Sequence, residues 1–354
     1  MIYLQINNYM SKYFISYPSS KALNPFIKIL NNELKEYAWL ECQTENVWMN
    51  LSAIIKNRNI IDVLYFHWPE TFWRSSHKII SYIKSVLFIL HVYLWKKMGY
   101  KLVFSAHNII PHFGKVNFRH ERYMRKFIIK KFHLVIGHSY NTYQELTEKI
   151  GEPRNYVLAL HGLYDNIREP QKRKGSYNKL FISYSDHDYK GVKDFLNLLL
   201  SLKKEDRHHI QFLITGNIPE ALLDRLSKNG VNYQHIKSKE DNSYFLTEEE
   251  LEDVISQSDI MVMPYKNITN SGFYFMALTM GKGVLAADLP FFRMHSHPET
   301  ILLYEYNNAQ SLTEQFQKIQ NGWYPDSDIL KTVRNRFSWK NSAKVIAINF
   351  QNIL

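Results

Sequence analysis

Short apolar runs alternate with helical periodicity along this chain, and each run is closed by a turn signal. Asp62-Val63-Leu64-Tyr65-Phe66-His67 is one such run, ended by Trp68-Pro69. Its near-continuous apolarity predicts a strand covered on both faces. A long apolar segment follows and predicts a helix stopped by Gly99, then Lys101–Ala106 predicts a strand ending at His107-Asn108. A basic helix is expected from about Glu121 to Lys131. Leu134–Gly137 predicts a further strand, ending at His138-Ser139. The opening Met1–Ile6 also reads as a strand.

The stretch from about Arg168 to Asn178 holds Pro170, four Lys/Arg and Gly175, with little apolar content, and reads as a linker. Beyond it the pattern restarts. Leu180–Tyr184, Ile210–Thr215, Asp259–Met263 and Val284–Ala287 predict strands, and Val192–Leu202 predicts a helix. Thr247, with Glu250 three residues on, predicts a capping box at the start of another helix. Two alternating series of this kind predict an α/β protein of two Rossmann-like domains with parallel sheets, residues 1–168 and 169–338.

Length agrees, since 354 residues exceed one compact core. Charge adds one constraint: the formal net charge of +11 attracts a polyanion such as an anionic lipid surface or a phosphorylated substrate. The Lys/Arg residues are spread, with denser places at Lys126, Lys130 and Lys131 and at Gln171–Lys174. Neither a basic recognition region nor a zinc-finger spacing is present, so nucleic acid is not expected as a partner. The single Cys42 fits a reducing, cytoplasmic compartment. The amino-terminal residues lack the charged start and long apolar stretch of a signal peptide. Ile79–Trp95 is strongly apolar but carries Lys84 and His91 and ends in Lys96-Lys97. It is expected to be a core helix in preference to a membrane-surface helix.

In open parallel sheets ligands gather beyond the carboxyl ends of the strands. That rule selects His67, Glu70, His107, Asn108, His138, Lys190, Gly216 and the turn after Pro264 for inspection. In Asp259–Asp288 a strand ends in Pro264-Tyr265, and Asn270-Ser271-Gly272 then enters an apolar helix stopped by Gly281. Small residues at a helix start leave N–H groups open to a diphosphate, with Thr269 and Ser271 hydroxyls beside them. Spacing alone explains the same residues as an ordinary capped helix. Lys190, before Gly191, offers a point charge to a phosphate, or a solvated turn. Asp186-His187-Asp188 is an Asp-x-Asp whose carboxylates could hold a divalent ion with substrate phosphates, but such acidic pairs are common in loops. His295-Ser296-His297 and His208-His209 lack the partner spacing of a zinc site, so no metal is expected.

In their order and spacing these pieces resemble glycosyltransferases of the GT-B fold, particularly bacterial enzymes that build surface polysaccharides. In the carboxy-terminal half the resemblance runs through Tyr189-Lys190-Gly191, Gly216-Asn217, the Glu-Glu-Leu helix, Pro264-Tyr265, Ser271-Gly272 and Gly281. In the amino-terminal half it runs through His107–His112, His138-Ser139 and His161–Tyr164. It implies two domains facing across a cleft, with residues 339–354 a helix returning to the first. It also implies transfer of a hexose from a UDP- or GDP-linked donor, without a bound cofactor, to a glycan or lipid-linked glycan at the inner face of a membrane. Lys190, Gly216, Tyr265, Thr269, Asn270, Ser271 and Gly272 would contact the donor. His67, Trp68 and Asn108 would contact the acceptor, and His107 the transferred sugar. Many retaining members carry two Glu where Thr269 and Met276 stand here. An inverting enzyme needs a base from the first domain instead, and Glu70 is the candidate, with His107 second. The alternative is a non-catalytic nucleotide-sugar or polyanion binding module of the same fold.

Overall fold

The computed structural model describes residues 11–19, 24–42, 58–109, 118–165, 167–169 and 177–354. The expected strand Met1–Ile6, the segment Ile110–His112 and the basic run Gln171–Lys174 lie outside the described residues. The chain divides into two compact units, Met1–Gly162 with Ser338–Leu354, and Leu163–Phe337. The division thus falls after Gly162, where the linker composition had placed it after Arg168.

The first unit holds strands β1 (Lys12–Tyr17), β2 (Trp39–Glu41), β3 (Ile61–Phe66), β4 (Lys101–Ala106), β5 (Leu134–Gly137) and β6 (Tyr156–Leu158). They form one sheet of order β2-β1-β3-β4-β5-β6, and every pairing is parallel. Strand β3 shows why its sequence is apolar throughout. Leu64 and Phe66 point into one core, while Val63 and Tyr65 point into the core on the opposite face. The first of these faces is covered by α2 (Lys78–Lys97) and α3 (Phe118–Lys131). The second is covered by α1 (Pro25–Lys35) and by a helix from the far end of the chain, Trp339–Ile353. That helix buries Ala343, Ile346, Ala347 and Phe350, a spacing of three and four that makes one apolar stripe. A short helix, α4 (Thr142–Lys149), joins β5 to β6.

The expectation of a core helix at Ile79–Trp95 is corrected here. Only Ser85, Phe88, Val92 and Trp95 of α2 are buried, and most of its apolar side chains face outward. The sequence misleads because a helix apolar on all sides has no periodicity to show which side is covered.

The second unit holds β7 (Asn178–Ser183), α5 (Val192–Ser201), β8 (Ile210–Thr215), α6 (Glu220–Lys228), β9 (Tyr233–Ile236), α7 (Glu248–Ser256), β10 (Ile260–Met263), α8 (Gly272–Thr279), β11 (Gly283–Ala287), α9 (Pro290–His295), β12 (Ile301–Tyr304), α10 (Ala309–Gln320) and α11 (Ser327–Arg334). The helix Trp339–Ile353 is therefore α12. The sheet runs β12-β11-β10-β7-β8-β9, again all parallel. Strand order reverses between β7 and β10, the topological switch point at which a doubly wound sheet opens a crevice. The capping box at α7 forms as predicted: the Glu250 amide donates to Thr247 Oγ1 at 3.2 Å and the Thr247 amide to Glu250 Oε2 at 3.0 Å.

Candidate active site

In the second unit, the segments that follow β7 and β10 meet at the switch point. After β7 the chain makes a short turn, Asp188–Lys190, and enters α5 through Gly191 in the left-handed region at φ 65°. A Cβ on Gly191 would lie 1.9 Å from the Pro264 carbonyl oxygen, so only glycine lets the two turns close to this distance. The Lys266 amide donates to the Tyr189 carbonyl at 2.8 Å, and the Tyr189 and Tyr265 rings stack at 6.3 Å. The Lys190 turn and the turn after Pro264 thus form one constellation.

Two lysines stand in it, and they differ. Lys266 Nζ pairs with Asp188 and lies 2.7 Å from Asp194 Oδ2; these carboxylates spend its charge and push its pKa up. Lys190 is half-buried and has no carboxylate partner among the described residues, and desolvation lowers its pKa. An ammonium removed from water without a counter-ion is poised for an anionic ligand. Helices α5 and α8 both begin here. Helix α5 has no side-chain cap, whereas Ser271 caps α8 by accepting from the Tyr274 amide at 3.2 Å. Asn270 Oδ1 accepts from the Ser271 amide at 3.0 Å, and the buried Tyr265 hydroxyl lies 3.4 Å from Ser271 Oγ. The Ser271 hydroxyl is therefore largely used within the protein, which leaves backbone N–H groups and Lys190 for a ligand. Thr269 is buried beside them. Gly216, at φ 98°, sits where a Cβ would meet the Tyr184 carbonyl at 2.3 Å, so its close approach is to the neighbouring strand end. Asp186 accepts from the Tyr184 hydroxyl at 2.8 Å, and Asp188 pairs with Lys266.

In the first unit four histidines follow four neighbouring strands: His67 after β3, His107 after β4, His138 after β5 and His161 beyond β6. All four are buried, and the Phe26 ring of α1 contacts each of them. His67 Nδ1 and His107 Nε2 are 3.0 Å apart, and the Trp68 ring stacks on His107 at 4.6 Å. His138 donates from Nδ1 to the Ala159 carbonyl at 2.7 Å. Its Nε2 then accepts from Ser105 Oγ, which itself receives the Tyr65 hydroxyl proton at 3.2 Å. Desolvation drives all three central imidazoles to the neutral form: His138 falls to about 4, and His67 and His107 lie well below the usual range. Asn108 follows His107, half-buried.

Glu70 belongs to a different network. Its carboxylate lies 3.2 Å from Arg125 Nη2 and 3.9 Å from Arg74 Nη1, and Arg74 also pairs with Glu121 at 2.7 Å. Nothing links Glu70 to the histidines among the described residues.

Solved structures share the whole fold at low identity. Sucrose-phosphate synthase from Thermosynechococcus elongatus superposes with a TM-score of 0.68 at 12% identity, over 96% of this chain and 98% of that one. HepE from Anabaena, in complex with UDP and glucose, gives 0.65 at 13% identity, over 97% and 100%. The lipopolysaccharide outer core galactosyltransferase WaaB gives 0.62 at 12%, over 98% and 100%. No curated protein sequence matches the chain. The profile of the family "Glycosyl transferases group 1" matches residues 178–321, the greater part of the second unit. The second unit is thus matched by a glycosyltransferase family profile, and the whole chain has the GT-B fold. The matched segment contains both turns of the switch-point constellation.

The structure therefore gathers Lys190, Tyr265, Thr269, Asn270, Ser271 and Gly272 around one switch point, and His67, Trp68 and His107 in one cluster. It sets Glu70 in an ion network and Gly216 against Tyr184. Sequence reasoning missed the brace of Lys266 with Asp188 and Asp194, which joins separate segments and leaves no local trace. It also missed Phe26 as the centre of the histidine cluster. The recurrence of a histidine at successive strand ends was the available signal.

Proposed function

We propose that the chain is a glycosyltransferase that moves a hexose from a UDP- or GDP-linked donor to a glycan or lipid-linked glycan acceptor, in the synthesis of a bacterial surface polysaccharide. The observation that carries the donor half of this reading is the half-buried Lys190, without a carboxylate partner among the described residues, at the β7/β10 switch point beside the starts of α5 and α8. Breaking the sugar–phosphate bond leaves negative charge on the departing diphosphate. A fixed ammonium and two sets of helix-start amides aimed at that charge lower the barrier without reorganising.

For the acceptor half, the geometry favours His107 over Glu70. Glu70 already faces two guanidinium groups, Arg125 and Arg74, so its carboxylate is committed to an ion network. His107 is neutral, and its hydrogen bond through Nε2 to His67 holds the ring in place. A neutral, oriented imidazole can receive the acceptor hydroxyl's proton. Thr269 and Met276, where a retaining relative would carry carboxylates, are consistent with an inverting transfer.

The test is incubation with a panel of UDP- and GDP-hexoses, followed by measurement of free nucleoside diphosphate. Slow release is expected from the parent protein. Lys190→Ala is expected to weaken nucleoside diphosphate binding by roughly 10- to 100-fold, as for a lost bond to a charged group. An unchanged affinity would remove Lys190 from the site. His107→Asn should stop turnover at unchanged nucleotide affinity, and the reading of the base fails if Glu70→Gln does so instead.

A further inference from the structure

Helix α2 is apolar on the side turned away from its own unit. Its inner side is committed: Phe88 packs on Phe66, Phe72 and Trp73, and Trp95 packs on Phe66. The outer side exposes Ile79, Ile83, Val86, Leu87, Leu90 and Tyr93, with Ile79 74% and Leu90 58% exposed. At about 100° per residue, Ile79, Ile83, Val86, Leu90 and Tyr93 share an arc of about 80°, opposite Phe88, Val92 and Trp95. From Ile79 to Tyr93 the strip runs for about 21 Å. An outward apolar strip of that length marks an interaction surface.

Charge decides what covers it. Helix α3 lies alongside: Ser85 Oγ meets His120 Nε2 at 2.7 Å, the Tyr93 and Phe127 rings are 6.0 Å apart, and Lys131 Nζ lies 5.5 Å over the Tyr93 ring. Its outer side exposes Arg119, Arg122, Lys126 and Lys130. Lys78, Lys84 and Lys97 are exposed on α2. The one carboxylate in either helix, Glu121, is buried and paired with Arg74. The face is therefore apolar and cationic, with no exposed acid.

We propose that α2 and α3 form a docking face for an anionic lipid bilayer, with α2 lying along the headgroup region. A second copy of the chain fits poorly, because a two-fold contact would set this face against itself and cation against cation. The packed inner side of α2 holds the helix along its unit, so it lies on the bilayer instead of crossing it. Tyr93 and the exposed Tyr123 supply the amphipathic rings that suit such a boundary. The inference rests on this surface alone and is independent of the transfer reaction.

Flotation with vesicles of phosphatidylcholine, alone or mixed with phosphatidylglycerol, tests it. Binding to the mixed vesicles is expected, weakening as salt is raised. Ile83→Glu and Leu90→Glu should each reduce it roughly tenfold, the worth of one buried aliphatic side chain. Lys126→Gln and Lys130→Gln should each reduce it by roughly fivefold on the mixed vesicles only. An unchanged melting temperature shows that each variant is folded, and all four should release nucleoside diphosphate in lipid-free solution at the parent rate, so membrane docking and sugar transfer are read separately. The proposal is overturned by failure to bind the mixed vesicles, or by Ile83→Glu and Leu90→Glu variants that still bind. A lipid-free dimer that those two variants dissolve overturns it as well.

Discussion

Single residues set the chemistry by what they lack. Lys190 has no carboxylate partner among the described residues, and the adjoining Lys266 has two, which is why Lys190 is the cation proposed for the donor phosphates. Gly191 lacks a Cβ, and that allows the Pro264 carbonyl to close on it. Gly191→Ala adds a left-handed alanine and a clash with backbone, and is expected to cost at least about 2 kcal/mol of stability. A urea midpoint measured against the parent protein checks this, and an unchanged midpoint would show that the two turns do not meet. The histidines act in the opposite sense to a salt bridge. Folded His138 binds its proton only near pH 4, whereas the unfolded residue binds it below about 6.5. Between those values the unfolded state holds more protons, so stability is complete above pH 6.5 and is lost as pH falls toward 4. His138 alone should lower the stability of the first unit by about 2 kcal/mol between pH 7 and pH 5. Denaturant titrations at the two pH values read it, and a flat response would mean that the imidazoles are already charged in the fold.

Elements were legible where they are covered on both faces. Asp62–His67, Lys101–Ala106, Leu134–Gly137, Ile210–Thr215 and Asp259–Met263 stand within a residue of the observed strands, because a buried parallel strand is apolar along its whole length. The strands at the sheet edges were not legible. Tyr156–Leu158 is only three residues long and half-buried throughout, and Tyr233–Ile236 carries the polar pair Gln234 and His235 between its apolar ends, so neither resembles a long buried central strand. Helix α2 was legible as a helix but not as an outward-facing one. The residues proposed for the donor were legible as a group because they follow strand ends, whereas the ion network of Glu70 was not legible, since Arg125 reaches it from another helix. Helix α12 carries much of the second core of its unit, with Phe350 fully buried against Phe14, Trp39 and Tyr65. Phe350→Ala should cost about 3–5 kcal/mol. Its mark would be a first-unit transition at lower temperature with nucleotide affinity kept, and a shift confined to the second unit would contradict the assignment.

At the scale of the molecule, two units of nearly equal size, each with its own core, are expected to melt as two transitions. The switch-point constellation proposed for the donor lies wholly within Leu163–Phe337. A nucleoside diphosphate at 100 times its dissociation constant should therefore stabilise that unit by about 2.7 kcal/mol and move one transition. Calorimetry with UDP and with GDP reads this directly. If neither nucleotide moves either transition, the switch point is not a nucleotide site. The formal charge of +11 is legible as a total in the sequence, but its concentration on α2 and α3 emerges only when the two helices are laid side by side.

The return of α12 has a consequence for biosynthesis. During translation the inner face of the first sheet, with Phe14, Trp39 and Tyr65, emerges long before residues 339–353 exist. The whole second unit is made in between. For that interval the ribosome carries a half-covered sheet, a species prone to stick to its neighbours. A chaperone acting on this nascent chain would find its target in the amino-terminal half and be released only when the last helix clears the exit tunnel.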